Sequence, residues 1–291
     1  RLWKQYFGTG LSAVLDDLGT QGEYPSHPEL LDWLAVEFMD RGWDVKAMVR
    51  EIVTSATYRQ SSTNRPELAE VDPNNRLLAR QTPRRLEAEF VRDNALSAAG
   101  LIDLEIGGPS VYPYQPEGYY SALQYPDRVY VADTDEREYR RGVYMHWQRT
   151  FLHPMLANFD APSREECTAS RIVSSTPQQA LTLLNDPEFV EAARGLAERA
   201  IAGHAGAGFG AGLDDAFHRL LARPPSAREQ ESLQQFFEGQ LTYYRGKPDE
   251  AKKLIAVGLH AAPAAVDPAT LAAWISVARV LLNLNETIVR Y

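Results

Sequence analysis

Cysteine is almost missing from this chain: Cys167 is the only one. No intrachain disulfide can form. Cysteine-based zinc and iron–sulfur sites within one chain are excluded. No Cys-x-x-Cys-His string exists, so the chain cannot attach a c-type haem in the usual way. His-Glu-x-x-His, Gly-x-Ser-x-Gly and a Lys-bearing phosphate loop are also absent. No apolar run approaches the ~20 residues that a membrane helix needs. Lysine is scarce and confined to Lys4, Lys46, Lys247, Lys252 and Lys253. Between Lys46 and Lys247 the permanent positive charges are all Arg. A coding bias toward Arg and Ala is one explanation. The other is that the planar guanidinium fork suits anion recognition and buried ion pairs. The net charge of −9 argues against a broad nucleic-acid footprint.

What is present reads as an ordinary globular chain. Its 291 residues, 44% hydrophobic, suffice for one large core or two smaller ones. Arg1 to Phe7 reads as a helix already in progress, so upstream sequence is expected. Ser26 with Glu29 has capping-box spacing and predicts a helix carrying Leu30, Leu31, Leu34 and Phe38 inward, stopped by Gly42. Asp44 caps a second helix. Thr82-Pro83 predicts a third, with Leu86, Phe90 and Val91 inward and Gly100 at its end. Its other face, Arg84, Arg85, Glu87, Glu89, Arg92 and Asp93, reads as solvated. Later helices follow Thr176-Pro177-Gln178-Gln179, Asp186-Pro187 and the Ser226…Glu229 box, with a short one over Leu213–Leu221. Gly203–Gly212 reads as a linker and residues 259–268 as a loop; the last helix carries Leu271, Trp274, Ile275 and Leu282.

Ile106 to Asp135 differs in character. Gly107-Gly108-Pro109, Pro113, Pro116, Gly118 and Pro126 break any long helix, and eight of the fourteen tyrosines fall between Tyr112 and Tyr144. Such a stretch either packs its own rings or presents them as a surface. The expected fold class is mainly α: an irregular multi-helix bundle with a Tyr/Pro/Gly-rich loop region that has room for short β segments, for example near residues 128–131. The expected parts are an N-terminal helical pair (1–60), central helices with the Tyr-rich loop and an Arg/His cluster (74–202), and a C-terminal bundle (213–291), together forming one compact unit.

The densest set of reactive side chains lies between Arg137 and Arg171. His146, His153, Asp160 and Cys167 are the catalytic candidates. Two histidines and a carboxylate are ingredients of acid–base chemistry. Cys167 lies between Arg164 and Arg171, which could lower its pKa if they point at it. Arg140, Arg141, Trp147, Arg149, Arg164, Arg171, Tyr112 and Tyr114 are candidates for holding an anionic substrate. Each also has a structural reading: His153 shapes a turn before Pro154, Asp160 caps, and a lone Cys is commonly a small buried hydrophobe. The acidic run Asp127…Asp133, Asp135, Glu136 lacks the EF-hand pattern, and no metal site is expected. Asn285-Glu-Thr287 matches a glycosylation sequon.

Seven strings in order carry a family resemblance. They are Phe7-Gly-Thr-Gly-Leu11, Asp16-Asp17-Leu-Gly-Thr-Gln-Gly22, Pro25-Ser-His-Pro-Glu-Leu-Leu-Asp-Trp-Leu-Ala35 and Ile52-Val-Thr-Ser-Ala-Thr-Tyr-Arg-Gln-Ser61. Then come Gly107-Gly-Pro-Ser-Val-Tyr-Pro113, Phe159-Asp-Ala-Pro-Ser-Arg-Glu-Glu-Cys167 and Thr176-Pro-Gln-Gln-Ala-Leu-Thr-Leu-Leu-Asn-Asp-Pro187. Together they resemble the planctomycete-specific domain of unknown function found C-terminal to planctomycete cytochrome c-like modules. The resemblance implies an exported, extracytoplasmic multidomain protein, with any haem in an upstream module and no cofactor in this chain. It implies no reaction.

Two functional expectations follow. The first is a non-catalytic helical module that docks beside cytochrome c-like domains. The second is an enzyme or binding protein for an anionic glycan, sulfated or uronic, using the Arg/His/Asp cluster at 140–171. Convergence of those side chains on one open pocket would favour the second. Closed structural pairing would favour the first.

Overall fold

The structure is a computed structural model that describes residues 1–122, 129–148, 151–204, 208–263 and 265–291. It is mainly α, about 51% helical, with eleven α-helices among the described residues. The one sheet they form is a two-stranded antiparallel pair, β1 (Arg84–Arg85) against β2 (Val289–Arg290). Val129–Val131 form no strand, and Arg128 lies outside the described residues. Two isolated bridges, Asp103 with Arg140 and Val111 with Met145, are the β structure of the Tyr-rich region. The chain divides into two compact units.

The first unit holds Arg1–Arg85, Cys167–Ser170 and Val289–Tyr291. Its helices are α1 (Leu2–Phe7), α2 (Pro28–Asp40) and α3 (Val45–Thr54). Phe7, Met48 and Ile52 form its core, with Leu2, Trp3, Tyr6, Leu34, Phe38 and Tyr58 packed around them. Trp3 and Phe7, one turn apart, stack at 4.2 Å. Asp44 caps α3 as expected, accepting from Ala47 N at 3.0 Å. Ser26 does not cap α2. His27 is the N-cap residue, and the Ser26 hydroxyl donates to Leu11 O at 3.3 Å. Leu31 is not inward either; it is exposed.

The second unit holds Leu86–Glu166 and Arg171–Ile288. It contains α4 (Ala88–Ala99), α5 (Pro154–Asn158), α6 (Pro177–Asn185), α7 (Pro187–Ala202), α8 (Phe209–Leu221), α9 (Ala227–Gly246), α10 (Pro248–Ile255) and α11 (Pro268–Leu282). Both expected capping boxes form, at Thr176/Gln179 and at Ser226/Glu229. The helix expected at Thr82-Pro83 starts later, at Ala88, because Arg84 and Arg85 are drawn into the strand pair. Gly100 ends it in the left-handed conformation, φ 77°. Its buried face is also shifted. Phe90 is exposed, whereas Glu89 and Arg92 are buried. The polar face that reads as solvated is therefore turned partly into the interior.

The hydrophobic centre of this unit is α11, which is buried nearly all round, as expected for a helix with apolar residues on every side. It packs against α7, α9 and α10. Ile275, Leu271 and Val277 are almost wholly enclosed. Trp274 meets Phe209 and Phe237 at 4.7 and 5.5 Å. Each such side chain contributes about 1.5–3 kcal/mol by burial. Against α4, α7 presents Gly195, where a Cβ would sit 3.0 Å from Ala99 Cβ. That close approach lets two charged helix faces meet inside the unit.

Candidate functional site

Arg92 of α4 is fully buried. An unpaired interior guanidinium would be costly, so the chain surrounds it with acceptors. Its Nη1 donates to Arg140 O at 2.6 Å and its Nη2 to Glu138 O, while Glu188 Oε1 of α7 lies 2.5 Å from Nη2. One helical turn on, Glu191 Oε1 accepts from the Tyr139 hydroxyl at 2.9 Å, Arg194 Nη2 at 3.0 Å and His260 N at 2.6 Å. Arg194 in turn donates to Ile255 O at 2.5 Å, to Val257 O at 3.0 Å and to His260 O. Gly258 makes that loop fit: it has φ +95°, and a Cβ there would lie 2.1 Å from the Glu191 carboxyl carbon.

Acid exceeds base in this interior, and the carboxyl groups respond. Burial, then the neighbouring Glu188, push Glu138 up to about 7. The same two causes push Asp186, the N-cap of α7, up to about 7. Burial also raises Glu188 and Asp93. Values near neutrality are those of an acid–base catalyst, yet structural ion networks produce them too. Glu138 is only 6% exposed, so a substrate has little access to it.

Next to this network stands a web of rings built by the Tyr-rich stretch. Tyr112 stacks on His146 at 4.5 Å and meets Tyr130 at 5.5 Å. Tyr130 meets Tyr120 at 5.4 Å and His153 at 6.4 Å, and Tyr120 meets Phe151 at 5.6 Å. The tyrosines of this stretch thus largely pack their own rings. Both candidate histidines belong to the web. His153 is buried, with Nε2 2.7 Å from Tyr114 O, and burial pushes its pKa down to about 4, leaving it neutral at pH 7.

Among the described residues of the second unit, the other candidates have separate partners. Asp160 takes Ser174 N and the Ser174 hydroxyl, each at 2.8 Å. Arg140 donates to Pro109 O, Glu105 O and Gly107 O and lies 4.1 Å over the Tyr144 ring. Arg141 lies 5.6 Å over the same ring. Arg171 makes a two-pronged pair with Glu89 at 2.6 and 3.1 Å, with Glu87 at 3.3 Å. Exposed Arg164 covers the Trp147 ring at 3.6 Å. Cys167 is exposed and belongs to the first unit. Arg149 and Asp127 lie outside the described residues. Asp133 and Asp135 both pair with Arg137. Among the described residues no group of three or more His, Cys, Asp or Glu side chains is arranged to hold a metal ion. No helix of the described residues is long and apolar enough to cross a membrane.

A further feature is a surface. Helix α2 buries none of its thirteen residues. Leu30, Leu34 and Phe38 lie half-buried, and Leu31, Trp33, Val36 and Met39 are exposed. Trp43, just beyond, stands 64% exposed with its edge on Phe38. The sequence marks these residues as apolar, but only the fold shows which of them are exposed among the described residues.

The mainly helical fold defines a structural class rather than an activity. The chain belongs to the family described as PSD1, a protein of unknown function (DUF1553), whose model matches residues 1–237. No curated protein and no solved structure matches it.

Proposed function

We propose that this chain is a non-catalytic docking module of an exported multidomain protein, seated beside cytochrome c-like domains. The observation that carries the reading is α2, a helix whose Leu31, Trp33, Val36 and Met39 are exposed, with exposed Trp43 just beyond it. Exposed Trp and Met side chains with a polar surround are what protein interfaces bury. The pairing within residues 140–171 supports the same reading, because Arg140, His153, Asp160 and Arg171 each make hydrogen bonds inside the chain. In this reading any haem sits in a neighbouring module, and the location is extracytoplasmic.

The test is co-purification of the chain with the cytochrome c-like segment of its own full-length protein. Stable association, weakened by Trp33→Ala with Met39→Ala, is expected. Absence of contact at micromolar concentration sinks the reading. The glycan alternative retains one observation: exposed Arg164 over half-buried Trp147, a cation and a ring side by side. Glycan-array binding lost in Arg164→Ala would favour it.

A further inference from the structure

The stretch of the first unit that leads into and forms α2 is acidic, although the unit as a whole balances its acids and bases. From Gln5 to Asp40 the sequence carries Asp16, Asp17, Glu23, Glu29, Asp32, Glu37 and Asp40 and no Lys or Arg. Glu37 is paired with Arg41, and Glu23 lies 3.6 Å from Arg76. Among the described residues Asp16, Asp17, Glu29, Asp32 and Asp40 make no ion pair, and all five are exposed. Their placement works against the helix. Glu29 and Asp32 are three apart, as are Glu37 and Asp40, so like charges neighbour each other on α2. Asp40 ends the helix, where the dipole disfavours an anion, and the last turn has no base.

The same helix carries Leu31, Ala35 and Met39 at successive four-residue steps, hence on one side of its exposed face, with Val36 and Trp33 further round. Asp32, Glu29 and Asp40 fall between them, so unpaired acids stand among exposed apolar side chains. We infer that the α2 surface binds a protein partner whose contact face carries Lys or Arg interspersed with apolar side chains. This rests on the docking reading and adds the partner's chemistry. Basic side chains on the partner would relieve the repulsion along α2 and the misplaced charge at its end, and charge pairing across an interface steers association. An anionic surface, whether lipid or nucleic acid, would be repelled. A second copy would set acid against acid.

The experiment uses the whole chain and, as probe, a lysine-rimmed c-type cytochrome with its fully succinylated form, followed by calorimetry at low and moderate salt. The native probe should bind, more weakly as salt rises, and the succinylated probe should not. Asp32→Lys with Asp40→Lys should weaken binding by at least about tenfold, as opposite-sign contacts become like-sign ones. Asp249→Lys in α10 should leave it unchanged, which separates this surface from a general pull by the net charge. These positions are exposed, and unaltered helical circular dichroism confirms folding. Equal binding of both probes, no binding of either, an unaffected reversal variant, or a dimer through α2 in sedimentation each overturns the inference. If Trp33→Ala with Met39→Ala abolishes association with the protein's own cytochrome c-like segment while the charge reversals do not, docking stands and the basic partner face falls.

Discussion

Arg92→Met is the sharpest test of how the second unit is built. The substitution keeps an unbranched apolar stem and removes a buried charge. Glu188 then loses the guanidinium 2.5 Å away, and the carbonyls of Arg140 and Glu138 lose their donor. Breaking a buried pair from one side costs about 3–5 kcal/mol. Each orphaned carbonyl adds on the order of 1 kcal/mol or more. Glu188 offsets part of this by holding a proton, since burial already raises its pKa. A loss of roughly 5 kcal/mol is expected, comparable with the whole stability of many domains. The informative comparison is therefore with Arg92→Met combined with Glu188→Leu, which removes both charges. It should be more stable than the single variant by at least about 2 kcal/mol, because the stranded carboxyl is gone. Urea unfolding followed by tryptophan fluorescence and circular dichroism measures both. A single variant within about 1 kcal/mol of wild type, or a double variant no better than the single, would refute the assignment of Arg92 as the keystone of this network.

Three other measurements bear on the same unit. Glu138 and Asp186 stand at about 7 when folded, against ordinary values of 4.5 and 3.8. A raised carboxyl stabilises the fold fully below its unfolded value, and that contribution is lost as pH rises toward the folded one, by up to about 1.4 kcal/mol per pH unit per group. His153, lowered from 6.5 to about 4, acts oppositely: its contribution grows as pH rises through that range. Wild-type stability should thus fall on balance from about pH 4.5 to 7. Glu138→Gln with Asp186→Asn should flatten that fall, and identical pH profiles would contradict the assignment. Arg140→Lys should cost about 1–3 kcal/mol and speed proteolysis of the 103–109 loop, because one ammonium cannot serve three separate carbonyls; an unchanged melting temperature would count against it. Ile275→Ala, at a fully buried position, should cost about 2–5 kcal/mol by calorimetry, and a loss below 1 would mean that α11 is not the hydrophobic centre.

Local signals were readable where the physics is local. Asp44, Thr176 and Ser226 announce their helices because the capping partner lies three residues away. Gly100 ends α4 for a reason contained in its own backbone. The errors come from distance. Ser26 and Glu29 match a capping box, but the Ser26 hydroxyl finds Leu11 O fifteen residues earlier. Arg92 reads as solvated because its carboxylate partner stands on α7, ninety-six residues on. Helix α10 is hard to see because six of its eight residues, Pro248 to Lys253, include four charges and one alanine. The candidate site shows the same limit. Composition gathers His146, His153, Asp160, Arg140 and Arg171 into one stretch, whereas folding sends each to its own partner. The α2 surface stays hidden for the opposite reason: an apolar stripe looks the same in sequence whether or not anything covers it.

The arginine bias can now be divided by position. Arg92 serves two carbonyls and a carboxylate, Arg140 three carbonyls, and Arg194 three carbonyls and a carboxylate, all from buried side chains. Only a fork with five donors spread over three nitrogens reaches so many separate acceptors. A coding bias does not select which arginines are interior, so at these three positions the residue type is a structural requirement. Exposed Arg41 and Arg219, each paired with an acid one turn away, carry no such demand, and there the bias suffices as an explanation. The acids divide in the same way. Glu138, Glu188 and Glu191 are matched inside the second unit by arginine forks and backbone donors. Glu29, Asp32 and Asp40 face outward in the first unit without a matching cation among the described residues. Arg140, His153, Asp160 and Arg171, which look reactive in the sequence, are thus engaged by partners within the second unit. Among the described residues of the first unit, Glu29, Asp32 and Asp40 of α2 keep their charge exposed without an ion pair, in a stretch whose composition gives no hint of chemistry.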